Sequence, residues 1–384
     1  MTRAVRFELH AVDLPFKRPF RHAAAERTTS SSVFVKCTTD TGAVGFGETL
    51  PREYVSHETR DEAFERLAKD LLPRLLELRF TSLAEVVAFL ESCDGQAPPS
   101  WLSGERPHSA AWCAVDLALL DAFGHAFGEP VTLGRERRPP PRFRYSPVLS
   151  ADEPRKQIET LIKVRLFGFG AIKLKVGGKD DAALVARARR WLGRGFDLRV
   201  DANMAWDVDT ALERMPELAR LGVTSFEQPL PADDLAGLAR LVRETGLRVM
   251  ADESLSTRAS LDALIASRAC NAVNVRVAKC GGVVAALRRC REALAAGMVV
   301  QVGCQVGESS LLSAANLLVV AGARDVTYGE GCFGRHLLRE DPAQPLLQFG
   351  YGGRPPVLGG GPGLGVRIDE AALARFTSRS ETIG

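Results

Sequence analysis

Six side chains in this sequence are placed to do chemistry. Lys173 and Lys175 sit one residue apart in AIKLKV, Asp201 closes DLRVD, Glu227 closes TSFE, Asp252 closes RVMAD, and Lys279 lies in AVNVRVAKCGG. Only nine of the 50 basic residues are lysines, and lysine, unlike arginine, can surrender its proton inside a protein. Taken alone, Lys-x-Lys fits a solvated edge strand as well as a catalytic one. The spacing favours chemistry. From Lys175 the steps to Asp201, Glu227, Asp252, Lys279, Cys304 and Glu330 are 26, 26, 25, 27, 25 and 26 residues, so each structural repeat delivers one side chain. Three convergent carboxylates repel one another unless a cation sits among them. An all-oxygen set suits a hard divalent ion, Mg²⁺ first, with Mn²⁺ as the alternative. Asn203 and Glu253, just beyond two of these acids, are placed to orient ligands or water.

The elements that must hold these groups follow from the texture of the chain. After about residue 140, short apolar strands alternate with amphipathic helices, the pattern of βα units on a parallel sheet. Eight strands are expected, at 144–149, 171–176, 197–201, 224–227, 248–252, 272–277, 298–302 and 326–328. An eight-stranded βα barrel gathers the C-terminal strand ends on one face, where active sites form. There Lys175 and Lys279, from strands two and six, stand opposite one another. One lysine takes a proton α to a carboxylate, the metal and Lys173 stabilise the enediolate, and the other lysine returns a proton to the far face. Racemisation or epimerisation results; elimination or cycloisomerisation of other substrates would use the same residues. The Gly-rich run 359–365 opens no long helix and is not a nucleotide loop.

Residues 1–130 read as an α+β region. Strands are expected at 5–14, 32–39 and 43–49, a helical stretch at 59–91 and a packed helix at 109–127. Between the first two strands lies a basic loop carrying Arg21, His22 and Arg27. The Pro- and Arg-rich run 134–144 reads as a connector. The composition is that of a soluble globular chain, 46% hydrophobic and 25% charged. A net charge of +3 is too small to point to nucleic acid. No apolar run of membrane-spanning length is apparent, and the first residues lack a signal-peptide core, so a cytoplasmic location is expected. Eight scattered cysteines read as reduced thiols, with Cys280, Cys304 and Cys332 as small fillers near the barrel rim.

The set KLK, VDAN, FEQPL, ADES and VAKCGG, behind an α+β region, resembles the enolase superfamily, muconate-lactonizing-enzyme subgroup (mandelate racemase/muconate lactonizing enzyme-like). The resemblance implies an α/β fold: a (β/α)7β TIM-type barrel over 140–344 and an N-terminal α+β capping domain over 1–130, completed by a tail from about 345 to 384. It implies that Asp201, Glu227 and Asp252 hold Mg²⁺, that Lys175 and Lys279 are the acid/base pair, and that Lys173 assists. The cap loops are similar to those of dipeptide epimerases, which makes Arg21, His22, Arg27, Arg52 and Tyr54 candidates for substrate contact, with Glu308 and Glu330 from the last two strand ends. Dipeptide epimerases carry an Asp-x-Asp pair at the eighth strand where this chain has Gly329, Glu330 and Gly331, a departure that puts a standard dipeptide substrate in doubt. The expected activity is a Mg²⁺-dependent racemase or epimerase acting on a small carboxylate, an N-acyl amino acid or dipeptide-like molecule. The alternatives are a cycloisomerase or syn-dehydratase of muconate-lactonizing or o-succinylbenzoate-synthase type, and a non-catalytic binding barrel. Related proteins are often homo-oligomers, and that state is expected here.

Overall fold

The structure is a computed structural model. It describes residues 1–384 apart from 23–24, 103–107, 134–135 and 151–152, and the side chains of residues 20–26 also lie outside it. Three antiparallel strands open the chain: β1 (Ala4–His22), β2 (Ala25–Thr39) and β3 (Val44–Thr49). The basic stretch expected as a loop is therefore mostly strand. Phe20 pairs with Arg27 beyond a bulge, so the hairpin runs well past the sheet. Its polar residues hide the strand period, because no face of this extension shows the apolar alternation that marks a half-buried strand.

The expected helical stretch is broken into α1 (Glu53–Ser56), α2 (Arg60–Arg66), a π-turn at Leu67–Leu71, α3 (Leu72–Leu75) and α4 (Leu83–Cys93). Ser82 caps α4 by accepting from the Glu85 N–H, so a new helix starts there instead of the old one continuing. α5 (Ser109–Phe127) packs against β3 and β2. Contrary to the sequence expectation, this helix is long and apolar enough to cross a membrane by length and composition, yet most of it is buried inside the protein. Its many alanines and its Gly124 let neighbouring backbone approach closely, which is the property of a core helix.

Eight parallel strands follow in sequence order: β4 (Val148–Leu149), β5 (Ala171–Lys175), β6 (Asp197–Asp201), β7 (Val223–Glu227), β8 (Val249–Ala251), β9 (Ala272–Arg276), β10 (Val299–Gly303) and β11 (Val326–Gly329). A parallel bridge between Tyr145 and Gly329 joins the first strand to the last. Between the strands run α6 (Pro154–Leu166), α7 (Asp181–Leu192), α8 (Val208–Arg220), α9 (Leu235–Thr245), α10 (Arg258–Ser267), the one-turn α11 (Val277–Cys280), α12 (Val283–Ala295) and α13 (Ser310–Ala323). This is a (β/α)7β barrel. Asp207, Asp234, Thr257 and Ser309 cap four of these helices at the end where the strands finish.

The tail forms the small pair β12 (Ala343–Gln344) and β13 (Arg367–Ile368), then α14 (Glu370–Arg375) and β14 (Thr377–Ile383), which pairs with β1. Arg137, in the stretch read as a connector, is buried. It donates to the carbonyls of Val131 at 2.9 Å, Gly359 at 2.7 Å, Gly361 at 3.1 Å and Gly363. The Gly-rich run 359–365 thus wraps a guanidinium.

Candidate active site

Successive side chains of a strand alternate between faces, so Lys173 and Lys175 point into the barrel with Arg199 and Asp201, Ser225 and Glu227, and Asn274 and Arg276. Lys173 is buried, with its Nζ 2.7 Å from Glu330 Oε2, 3.1 Å from Glu227 Oε1 and 3.3 Å from Asp201 Oδ2. Burial alone would lower its pKa, but Glu227, Glu330 and Asp201 outweigh that and hold it above the ordinary lysine range. Lys175 Nζ lies 2.7 Å from Asp201 Oδ2 and 2.6 Å from Asn203 Oδ1. Burial of Asp201 is likewise outweighed, by Lys175 and Lys173, and its carboxyl is held below the usual range.

Lys279 does not end a strand, as the sequence suggested. It sits on α11, the single turn after β9, and is fully buried. Its Nζ donates to Asp252 Oδ1 at 2.8 Å, to the Asn274 carbonyl at 2.9 Å and to the Asp252 carbonyl. Burial, with Arg276 nearby, lowers its pKa to about 7. β5 and β9 are second and sixth of eight strands, so Lys175 faces Arg276, which ends β9, across the barrel, while Lys279 lies one turn beyond β9 against Asp252.

Glu227 accepts from Lys173, from Asn274 Nδ2 at 3.0 Å and from Gln301 Nε2 at 3.1 Å. Asn203 takes a positive φ of 44° and donates to Glu253 Oε1 at 3.1 Å. Burial, with Asp201 next, raises Glu253 to about 7. Its other oxygen, Oε2, is buried without a hydrogen-bond partner. A hard oxygen donor set with an orphaned carboxylate oxygen beside it fits a divalent cation. Among the described residues, however, no three such side chains are yet gathered around one point; ammonium and guanidinium groups hold the acids instead.

Sequence reasoning missed four residues. Arg276 donates to Asp252 Oδ2 and, at 3.0 Å, to Gln305 Oε1. Arg199, also buried, reaches Glu330 at 3.3 Å, Gln301 and Ser146, and lies 4.4 Å over the Tyr328 ring. Gln228 accepts from the Asp252 N–H at 2.8 Å. Gln301 was missed with them. Period-two alternation through Lys175 and Asp201 would have found Arg199, since it sits two residues before Asp201 as Lys173 does before Lys175.

Of the expected substrate contacts, Tyr54 and Glu330 line a cavity of about 160 Å³ at the mouth, with Lys173, Lys175, Asn203 and Arg276. Arg52 lies beside it, buried, and donates to the carbonyl of the lining residue Val306 at 3.1 Å. Burial, then the charge of Arg27, lowers its pKa to about 10. Glu308 is buried behind the mouth, accepting from the Gln305 N–H at 2.6 Å; burial raises it to about 8. The side chains of Arg21 and His22 lie outside the described residues. Cys304 lines the cavity, while Cys280 and Cys332 are buried. A larger groove of about 760 Å³, between α4 and α12, holds none of the lysine and carboxylate machinery.

The chain matches the family described as Enolase C-terminal domain-like over residues 156–372, and the Mandelate racemase / muconate lactonizing enzyme, N-terminal domain, over 6–133. It belongs to the enolase superfamily. Within the mandelate racemase/muconate lactonizing enzyme group it is similar to an N-succinyl-L-Arg/Lys racemase of Bacillus cereus, 27% identical over 96% of each chain. It is 31% identical to an L-Ala-D/L-Glu epimerase of Bacillus subtilis over 85% of this chain and 87% of that one. A muconate cycloisomerase 1 of Rhodococcus opacus is 30% identical over 97% and 98%. The crystal structure of the Bacillus cereus racemase superposes with a TM-score of 0.88 over all of both chains at 28% identity. A dipeptide epimerase from Cytophaga hutchinsonii, complexed with Mg and the dipeptide D-Ala-L-Val, gives 0.85 over all of both at 26%. This enolase-superfamily chain is accordingly an isomerase of enolate chemistry.

Proposed function

We propose that this isomerase inverts the α-carbon of an N-acyl amino acid, with Asp201, Glu227 and Asp252 holding Mg²⁺, or Mn²⁺ in its place. The observation that carries the substrate class is the commitment of Glu330. Its two oxygens serve Lys173 and Arg199, and it is the only carboxylate among the described residues lining the mouth cavity. A free α-ammonium group would find no acid to meet it there. A nitrogen already acylated needs none. When bound, the divalent ion supplies Lewis-acid stabilisation to a carboxylate gaining negative charge. Lys173, kept protonated by its three carboxylates, adds a fixed positive charge on the same side. Lys175 and Lys279 act from opposite faces: the neutral one takes the α-proton, and the protonated one delivers a proton to the other face.

The test is incubation with Mg²⁺ in D₂O with N-acyl amino acids, dipeptides and muconate, read by mass spectrometry and chiral chromatography. One deuterium incorporated with inversion of an N-acyl amino acid is the expected result. Inversion of dipeptides alone would overturn the substrate class. The muconate cycloisomerases, 30% identical over nearly the whole chain, favour one second reading, which conversion of muconate to its lactone would establish. Lys175→Ala and Lys279→Ala should each abolish inversion, while each keeps solvent exchange of the α-proton in only one enantiomer, opposite for the two variants.

A further inference from the structure

Arg276 closes β9 with its side chain on the inner face of the barrel, two residues after Asn274. It is 8% exposed. A guanidinium keeps its proton at any working pH, so a buried one needs carboxylates around it. Arg276 finds two. Its Nη2 is hydrogen-bonded to Asp252 Oδ2 and lies 3.9 Å from Glu227 Oε1. Its Nη1 is held 3.0 Å from Gln305 Oε1, and its Nε has no partner. Lys279 takes the other oxygen of Asp252. Both oxygens of that carboxylate are thus occupied by fixed or potential cations, and the guanidinium stands between the two acids that a shared ion would join.

We propose that Arg276 is a place-holding cation: it neutralises Asp252 and Glu227 before a divalent ion arrives and gives up Asp252 to that ion. This rests on the reading of Asp201, Glu227 and Asp252 as the metal ligands. The exchange follows from charge and reach. A divalent ion and a guanidinium cannot share Oδ2 without strong repulsion, and the guanidinium is the one with somewhere to go. Gln305 and Arg276 both line the mouth cavity. Held by Gln305, the released group turns a second N–H, beside the unpartnered Nε, toward a substrate. That edge is the planar fork that grips a carboxylate with two hydrogen bonds. Metal loading therefore creates the anion-binding edge, and metal and anionic substrate reinforce one another, as coupled sites must do reciprocally.

Calorimetric titration of the full-length protein with Mg²⁺ alone tests this, comparing wild type, Arg276→Gln and Gln305→Ala, with thermal melts of each in the absence of metal. Arg276→Gln should bind Mg²⁺ about tenfold more tightly, within the 5- to 150-fold range of such couplings, while melting lower than wild type without metal. A residue that merely supports the site would weaken Mg²⁺ binding when removed. Gln305→Ala, which frees the guanidinium to lean wholly on the carboxylates, should bind Mg²⁺ several-fold more weakly. Equal or weaker Mg²⁺ binding by folded Arg276→Gln overturns the proposal. If that variant does not fold, Gln305→Ala decides: weaker binding supports the exchange, and unchanged or tighter binding overturns it. Failure of the wild type to bind Mg²⁺ overturns the metal reading and this inference together.

Discussion

Gln228 shows how much of the site is built by residues that never meet the substrate. It follows Glu227 with a positive φ of 35°, a conformation that costs a non-glycine residue about 1–3 kcal/mol. Its side-chain oxygen accepts from the N–H groups of Asp252, at 2.8 Å, and Ser254, at 3.2 Å. Its amide nitrogen donates to the Leu230 carbonyl and to Ser254 Oγ. The turned-back backbone is what aims the amide across to the next strand end, so one side chain holds the backbone at Asp252 and Ser254. Gln228→Leu strands two buried N–H groups and should cost roughly 2–5 kcal/mol, read by urea denaturation, with weaker Mg²⁺ binding in the folded fraction. Gln228 sits in FEQPL, a motif visible in the sequence, but a neutral amide beside a metal-ligand candidate gives no sign that its partners lie on the following strand. Arg276 and Arg199 were hidden for another reason. With 50 basic residues of which nine are lysine, arginine is the common cation of this chain, and a buried one looks like any other.

Between elements, carboxylates of the cap sit on the helix starts of the barrel. Glu48, on β3, accepts from the N–H groups of Ser309 and Leu312 at the start of α13, each at 3.3 Å. Asp116, on α5, accepts from the Val283 N–H at 2.8 Å at the start of α12. A carboxyl oxygen satisfies N–H groups left unpaired at a helix start, so these contacts tie the cap to the barrel. The glycine pair of VAKCGG belongs to the same joint. Gly282 has φ 111°, and a Cβ there would overlap the Asp116 carboxyl. The sequence showed the motif but not this packing, which depends on Asp116, 166 residues earlier in the chain. Gly282→Ala should loosen the joint, lowering the melting temperature and raising KM more than it lowers kcat. Asp116 also gives a pH signature. Burial raises its pKa to about 7, against about 4 in an unfolded chain. Between those values the folded protein keeps a proton that the unfolded chain releases, so this residue's contribution to stability falls as pH rises. Asp116→Asn cannot ionise. Its stability relative to wild type should therefore climb from pH 4 to pH 7, by on the order of 1 kcal/mol per pH unit at most, in melts taken across that range.

Across the whole molecule, the barrel was legible because its period repeats and its strands are apolar with a polar residue at, or just after, most strand ends. The cap was legible only in part. The sequence of its hairpin extension, KRPFRHAAAER, lacks a two-residue apolar alternation, and the cap's partners come from the far end of the chain. Arg137 is the clearest case. In GRERRPPPRFR it reads as one more cation in a connector, yet it gathers four carbonyls from residues 131 and 359–363. Charged donors of this kind are worth about 1.5–3 kcal/mol each in favourable settings. Arg137→Ala should cost about 3 kcal/mol and expose the stretch 355–366 to limited proteolysis while the barrel keeps its far-ultraviolet spectrum.

The sheet formed by β14, β1, β2 and β3 also sets an order of events in time. β1 lies between β2 and β14, with Phe7 opposite Ile383 on one side and Cys37 on the other. As the chain leaves the ribosome, β1 emerges long before β14, one of its two neighbours. Until β14 arrives, β1 presents an open row of N–H and C=O groups, the kind of edge on which strangers dock. Every strand of the barrel can be in place while this sheet still waits, so assembly of the sheet trails synthesis and the nascent chain is open to aggregation for that interval. A version of the protein cut before Thr377 would never leave that state.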